Sequence, residues 1–392
     1  MLVLEGVRVA DFSRVLAGPY CAQLMADMGA DVIKVEAPAG DENRSWPPLL
    51  EGHSTNFASV NRGKRSITLN LKSPEASTVI DRLAGWADVV LHSFLPDTAQ
   101  RLGLVEERLR EINPRLIFCA ISGYGEHGPL RNKPGYDAMV QAFGGVMSTT
   151  GEPDGPPMRT GVSFLDMATG LSAYSGIVTA LMGRTQSGRG TRVTASLLET
   201  AVALLGYHAV GWLQAGILPE RKGSGSWHLV PYQAFRSSDG FVMVGAPNDA
   251  AWKRLCAALD KPQLAEDPRF LTNADRIAHR DVLLALLQKL IATKPMDHWN
   301  TLLEGHGVAV APIHTIDQVM SHPQVLANNM VVHARTETGT TVPLVGTPFK
   351  LAEGGGNAGT AAPGLGADRE RVLAELAFTN DEIETLSRAG AI

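Results

Sequence analysis

The chain has 392 residues, of which 44% are hydrophobic and 19% charged, and its formal net charge is −5. That is enough apolar sequence for a large core in two or three domain-sized units, and it excludes a general polyanion-binding role, so any anion must be held by local basic residues. The three cysteines (Cys21, Cys119, Cys256) are too far apart for a disulfide framework or a CxxC metal site, and no basic-then-apolar leader opens the chain; both facts fit a reducing, cytoplasmic setting.

Residues 6–13 read as a strand, 17–29 as a helix opening on Gly18-Pro19, and 31–36 as a second strand. Two strands flanking a helix are the opening of a doubly wound α/β sheet. Its first strand–helix turn runs Ser13-Arg14-Val15-Leu16-Ala17-Gly18-Pro19, without the G-x-G-x-x-G fingerprint, so neither a nicotinamide nor a flavin cofactor is expected. The loop 37–61 is rich in Pro, Gly and charge and too long for a mere connection, which marks it as functional. Strands are expected at 66–71, 88–91 and 115–122, with helices opening at Ser73-Pro74 and running over 98–102 and 106–112.

The stretch from Thr160 to Gly170 places an acidic residue, Asp166, just before a helical pattern running from Met167 to about Met182. Its small and apolar positions leave little polar face, as in a buried helix, although no apolar run reaches the ~18 residues of a membrane span. At such a helix N-terminus the free backbone N–H groups and the dipole favour a charged carboxylate. Spacing alone fits both a capping aspartate and a partly dried nucleophile. A last strand at 191–196 leads to one apolar helix over 197–214.

A charged, glycine-bearing linker follows at 218–225. Beyond it, 232–236 and 241–245 flank Ser-Ser-Asp-Gly, a hairpin signal. Helices at 249–259, 280–293 and 296–304 complete a smaller α+β segment. The expected division is therefore 1–225, 226–315 and 316–392. The last part returns to extended structure at 331–335 and 341–349, passes the glycine-rich loop Gly354–Gly359 and closes with two short amphipathic helices.

Several motifs, in order along nearly the whole chain, resemble the class III CoA-transferases of the formyl-CoA transferase and carnitine CoA-transferase type. They are Leu16-Ala17-Gly18-Pro19, residues 29–36, Gly40-Asp41 with Arg44, residues 61–67, Gly135-Tyr136-Asp137, Asp166 with Gly170, and Ser187-Gly188-Arg189-Gly190. Within that family Thr160-Gly161-Val162, residues 166–171 and 230–235 look most like the succinyl-CoA:dicarboxylate enzymes of the succinate–hydroxymethylglutarate type. The resemblance implies a Rossmann-like large domain formed by both chain ends, a smaller α+β domain, and an interlaced homodimer.

It also implies the chemistry. Asp166 would be the nucleophile, carrying the acyl group as an anhydride and then CoA as a thioester. Nothing would be bound permanently, since the coenzyme A thioester is itself a substrate and a carboxylic acid is the acceptor. Gly223, Ser224 and Gly225 would form a glycine loop offering backbone donors to the oxyanion. Leu16, Phe94, Arg101, Leu102, Lys133 and Tyr136 would line the CoA site, Leu16 standing where formyl-CoA transferase has a glutamine. Arg14, Arg44 and His228 are candidates to meet the acceptor. No His/Asp/Glu set has metal-ligand spacing.

Two rivals share these features. An α-methylacyl-CoA racemase needs acid–base groups on both faces of the α-carbon, where this chain offers Tyr136 and Asn248. A non-catalytic acyl-CoA-binding protein would use Asp166 only as a cap.

Overall fold

The structure, a computed structural model, describes residues 2–356 and 359–392. Met1 lies outside the described residues, as do Asn357 and Ala358 of the expected glycine-rich loop. The chain's contacts divide it into a larger unit, residues 1–144, 161–205 and 323–392, and a smaller one, residues 145–160 and 206–322. The chain enters the smaller unit at 144/145 and, after returning to the larger one, again at 205/206, ahead of the charged linker. Residues 145–160 join the smaller unit because Gly223 N–H donates to Gly151 O at 2.9 Å and Arg221 Nη2 to Gly155 O at 3.0 Å.

The larger unit is built on six parallel strands: β1 (Arg8–Phe12), β2 (Asp31–Glu36), β3 (Arg65–Thr68), β4 (Val89–His92), β5 (Ile117–Ser122) and β6 (Arg192–Ser196), in the order β3-β2-β1-β4-β5-β6. Strands covered on both faces read as near-continuous apolar runs, and side chains alternate between the faces. On β2, Val32 faces a core with Val9, Met25, Leu91, Ala173 and Ile177, while Ile33 faces one with Phe12, Ile67, Leu83 and Phe118. Both chain ends contribute. Ser66 and Asp368 exchange bonds, Ser66 N–H to Asp368 Oδ2 at 2.8 Å and Asp368 N–H to Ser66 O at 2.9 Å, which seats Val372 and Leu373 in the second core.

The helices that position the site are α1 (Ala17–Asp27), α2 (Asp137–Phe143) and α3 (Phe164–Ser187). α3 starts three residues earlier than its apolar pattern predicts. It is long and apolar enough, by length and composition, to cross a membrane, which amends the expectation that no such stretch exists. Nor is it buried all round. Leu165, Thr169, Gly170, Ala173, Ile177 and Leu181 form one buried stripe at helical spacing, and Met182 is exposed. The apolar helix expected over 197–214 is two helices, α4 (Leu197–Leu204) and α5 (Tyr207–Ala215), because Gly206 takes φ +50° between them.

The smaller unit holds an antiparallel sheet of β7 (Tyr232–Arg236), β8 (Phe241–Gly245) and β9 (Ala309–Pro312), with β7 and β8 joined through Ser237-Ser238-Asp239-Gly240. Helices Asp249–Ala258, Arg280–Ile291 and Met296–Gly305 cover it through Trp252, Leu283, Leu287, Ile291, Trp299 and Leu303.

One buried ion pair ties α1 to the chain's later segments. Arg62 Nε and Nη2 reach the two oxygens of Asp27 at 2.8 and 2.6 Å, and Thr347 Oγ1 donates to Asp27 Oδ2 at 2.9 Å. Replacing Arg62 by Met leaves Asp27 buried and without its cation, which destabilises by about 3–5 kcal/mol. The expected readout is a lower denaturant midpoint for the larger unit, and an unchanged midpoint would refute the assignment.

Candidate active site

α3 opens after Ser163, whose side chain does not cap it. Its capping carboxylate comes from elsewhere: buried Asp137, the first residue of α2, accepts from Leu165 N–H at 2.9 Å and Asp166 N–H at 3.1 Å through Oδ2. Gln141, one turn along α2, donates to Asp137 Oδ1. Asp166 is the third residue of the helix, and no hydrogen-bond donor meets its own carboxylate among the described residues. The sequence expectation that the helix terminus favours its charged form is overturned. Burial, and then the negative charge of Asp137, push Asp166 up to about 7. The N–H groups that should have stabilised it are already taken.

Packing behind Asp166 leaves little freedom. Thr169 Oγ1 donates to Thr200 Oγ1 at 2.9 Å, both groups buried, which pins α3 to α4. At Gly170 a Cβ would stand 2.6 Å from Ala17 O, so only glycine lets α1 and α3 approach this closely. The first two turns of α3 are therefore held by α1, α2 and α4 together.

The strand order reverses between β1 and β4, and the crevice above their C-terminal ends is where open α/β sheets bind ligands. Arg14 and Phe94 meet there. Arg14 N–H donates to Ser93 Oγ at 3.0 Å, and its guanidinium lies 5.4 Å from the Phe94 ring centroid. Phe94 is oriented by His92, which burial and the Arg192 charge hold down at about 3. A neutral imidazole can accept, and His92 Nδ1 takes Phe94 N–H at 3.2 Å with the two rings stacked. Leu16 joins Met167 and Leu171 of α3 on the cluster formed by Tyr20, Leu24 and Val60.

Arg101 is exposed and ends the helix Pro96–Arg101, where its guanidinium donates to Asp97 O and Thr98 Oγ1; Leu102 follows as the half-buried cap. Asn132 Nδ2 donates to Asp97 Oδ2 at 2.6 Å, linking that helix to the segment carrying Lys133. Lys133 is exposed above the Tyr124 ring at 5.2 Å, and exposed Tyr136 immediately precedes Asp137. Arg44 has a different setting from the other basic residues. Its fork closes on buried Glu36, Nε to Oε2 and Nη2 to Oε1 both at 2.7 Å, and it stacks 3.7 Å over Phe57.

Ser224, Gly225 and His228 lie in the smaller unit, on a cavity of about 380 Å³ lined also by Tyr207, His208 and Trp227. Gly223 N–H goes to Gly151 O at 2.9 Å and Gly225 N–H to Lys222 O at 2.7 Å, so Ser224 N–H is the loop donor left without a partner among the described residues. Gly223 has φ +59°, a left-handed conformation that favours glycine. Ser226 Oγ sits 3.2 Å from His228 Nδ1. Asn248, where a racemase would need an acid–base group, caps the helix Asp249–Ala258 by accepting from Ala251 N–H at 2.9 Å.

The motif Gly135-Tyr136-Asp137 does not by itself disclose the capping role of Asp137. The available signal was an Asp followed four residues later by Gln141, a polar pair at helical spacing in an otherwise apolar stretch.

Residues 4–369 match the family model described as CoA-transferase family III. The chain is 40% identical to an acyl-CoA transferase of Fusarium pseudograminearum over 99% of its own length and 88% of the relative's. It is 37% identical to the succinyl-CoA:glutarate CoA-transferase of Mus musculus over 100% of its length and 91% of the relative's. Among solved structures it resembles a CAIB/BAIF family protein from Brucella suis, with TM-score 0.86 and 36% identity over 96% of this chain and 99% of that one.

The perturbed carboxylate sets a pH dependence. A nucleophilic Asp166 must be ionised, so kcat/KM should rise with pH through an acid limb near pH 7. Asp137→Asn keeps an acceptor for the helix N–H groups and removes the charge, so the limb should move to lower pH; a limb that stays in place would exclude this coupling. Stability carries the opposite sign. Between the ordinary aspartate range and about 7 the folded chain holds a proton that the unfolded chain has lost, so this group's contribution falls as pH rises across that window. The melting temperature of Asp166→Asn relative to the native chain should therefore climb from pH about 4 to about 7 and level off above it.

Proposed function

The chain belongs to CoA-transferase family III, and from that premise we propose that it moves CoA from succinyl-CoA to a dicarboxylic acid through acyl intermediates on Asp166. The observation that carries the reading is a partly dried carboxylate in the first turn of α3 whose neighbouring N–H groups are satisfied elsewhere and whose oxygens meet no donor among the described residues.

The Asp166 carboxylate attacks the thioester carbonyl, the C–S bond breaks, and CoA leaves as the thiolate with a mixed anhydride behind it. The thiolate then attacks the aspartyl carbonyl, releasing the donor's carboxylate and leaving CoA on Asp166. The acceptor carboxylate attacks this thioester to form a second anhydride, and the returning thiolate takes the acceptor's acyl group, regenerating Asp166. Thioester and anhydride are both activated acyl carriers, so no ATP is required. Either would be lost to water, which is why a dry pocket matters. A raised pKa suits the residue as well, because the ionised form is then a stronger base than an ordinary aspartate.

The relative from Mus musculus supports succinyl-CoA as donor and a dicarboxylate such as glutarate as acceptor. Leu16, Phe94, Arg101, Leu102, Lys133 and Tyr136 would receive CoA, with Arg14 lining its entrance. Arg44, closed on Glu36, would act by shaping the crevice wall. The same reading includes an interlaced homodimer. In support, α5 (Tyr-His-Ala-Val-Gly-Trp-Leu-Gln-Ala) buries none of its residues, with Trp212 51% and Leu213 79% exposed. A cytoplasmic location accords with three free, buried cysteines.

Incubating the enzyme with succinyl-CoA and, separately, glutarate, hydroxymethylglutarate, malate and itaconate should yield the CoA ester of at least one acceptor. After a quench, the peptide containing Asp166 should carry the added mass of CoA or an acyl group. No ester from any acceptor, or full turnover by Asp166→Asn, would end the proposal.

A further inference from the structure

Val15 stands in the turn between β1 and α1 with φ +69°. A β-branched side chain is a genuine outlier in this left-handed region, and such a conformation persists only where its surroundings over-determine it. Here they do. Val15 N–H is shared between the two oxygens of Asp41, both at 3.2 Å, and Val15 O accepts from Asn43 Nδ2 at 2.7 Å. Asp41 is buried and paired with buried Lys34, Nζ to Oδ2 at 2.9 Å, while the same ammonium donates to Ser13 O at 3.1 Å. Asp41 N–H is fixed in turn by Glu36 Oε2 at 3.1 Å. Ser13 is gripped from its other side by Asp11, which accepts its N–H at 2.9 Å and its hydroxyl, and Asp11 is itself paired with buried Lys64 at 2.9 Å.

The anchors on Val15 itself, Asp41 and Asn43, come from the loop after β2, and the turn leads straight to the site. Leu16 shares a cluster with Met167 and Leu171 on α3, and Ala17 O is the atom that Gly170 makes room for. Movement of the turn would therefore be felt in the first two turns of the helix carrying Asp166.

We propose that the buried Lys34–Asp41 ion pair is a positioning device: it holds Val15 in its left-handed conformation and so sets Leu16 and the start of α1 against the helix that carries Asp166. The pair does not touch the substrate. It acts through Val15, and the strain is held where the crevice needs a fixed wall. The proposal rests on CoA transfer through Asp166.

Val15→Gly separates positioning from stability, since glycine adopts φ +69° without strain but also ranges widely around it, so the turn loses its fixed backbone. The variant should melt at or above the temperature of the native chain. Its kcat should fall roughly tenfold to a hundredfold, as expected for a small misplacement near reacting groups, with KM for succinyl-CoA within about twofold. Asp41→Asn should lower kcat in the same sense. Combined with Val15→Gly it should lower kcat little further, because both act through one turn. If Asp41→Asn does not fold, Lys34→Met with Asp41→Asn, which removes both charges, takes its place in the cycle. A kcat for Val15→Gly within twofold of native, or losses that multiply in the double variant, would overturn the proposal while CoA transfer by the native enzyme stands. Absence of transfer by the native enzyme would remove the premise and the proposal together.

Discussion

Two carboxylates meet at the first turn of α3, and only one of them takes the backbone donors there. Asp137 accepts from Leu165 and Asp166 and is steadied by Gln141, so its charge is held by three donors in a buried site. Asp166 is left with the consequence: burial and a neighbouring negative charge both oppose its ionisation. A helix N-terminus normally makes a carboxylate a comfortable anion and a weak base. Assigning the cap to a second residue frees the first for chemistry, while the cap still fixes where its backbone lies.

The sheet around this helix uses the strand order of a dinucleotide-binding fold without its glycine-rich turn. In that fold the glycines bring backbone close to a pyrophosphate. Here the equivalent turn is held by buried charged side chains, with Asp11 and Lys64 on one side and Asp41 and Lys34 on the other. Buried ion pairs are weak contributors to stability, because desolvation offsets their attraction. What they confer is a unique arrangement: a buried lysine has few places to put its proton donors. Burial pulls Lys64 down to about 8 despite the Asp11 carboxylate beside it, which indicates how much hydration the arrangement gives up.

Much of the fold is legible from periodicity. The strand at 31–36 and the helix at 106–112 fall on their expected bounds, because each is delimited by local signals and buried by a simple repeating pattern. The failures are equally physical. One helix was expected over 197–214, since apolar residues continue through it, but Gly206 takes a positive φ and divides it. α3 was expected to be buried on all sides, whereas one stripe suffices and the rest of its apolar surface lies open in the single chain. Arg44 looked free to meet an anion because a charge pattern does not reveal that Glu36, eight residues earlier, already occupies its fork.

Sequence alone determined the alternation of strands and helices, the absent nucleotide fingerprint, the candidacy of Asp166 and, by motif resemblance, the family. These depend on local periodicity and on residue types at set spacings, which a linear chain records. Tertiary structure decided the electrostatics: that Asp137, 29 positions from Asp166, caps its helix and raises it toward neutrality, and that Asp41 reaches back 26 positions to hold Val15. A pKa depends on which charges and donors lie within a few ångströms and on how much water remains. That is a property of distances between segments, and it comes into being only when the chain folds.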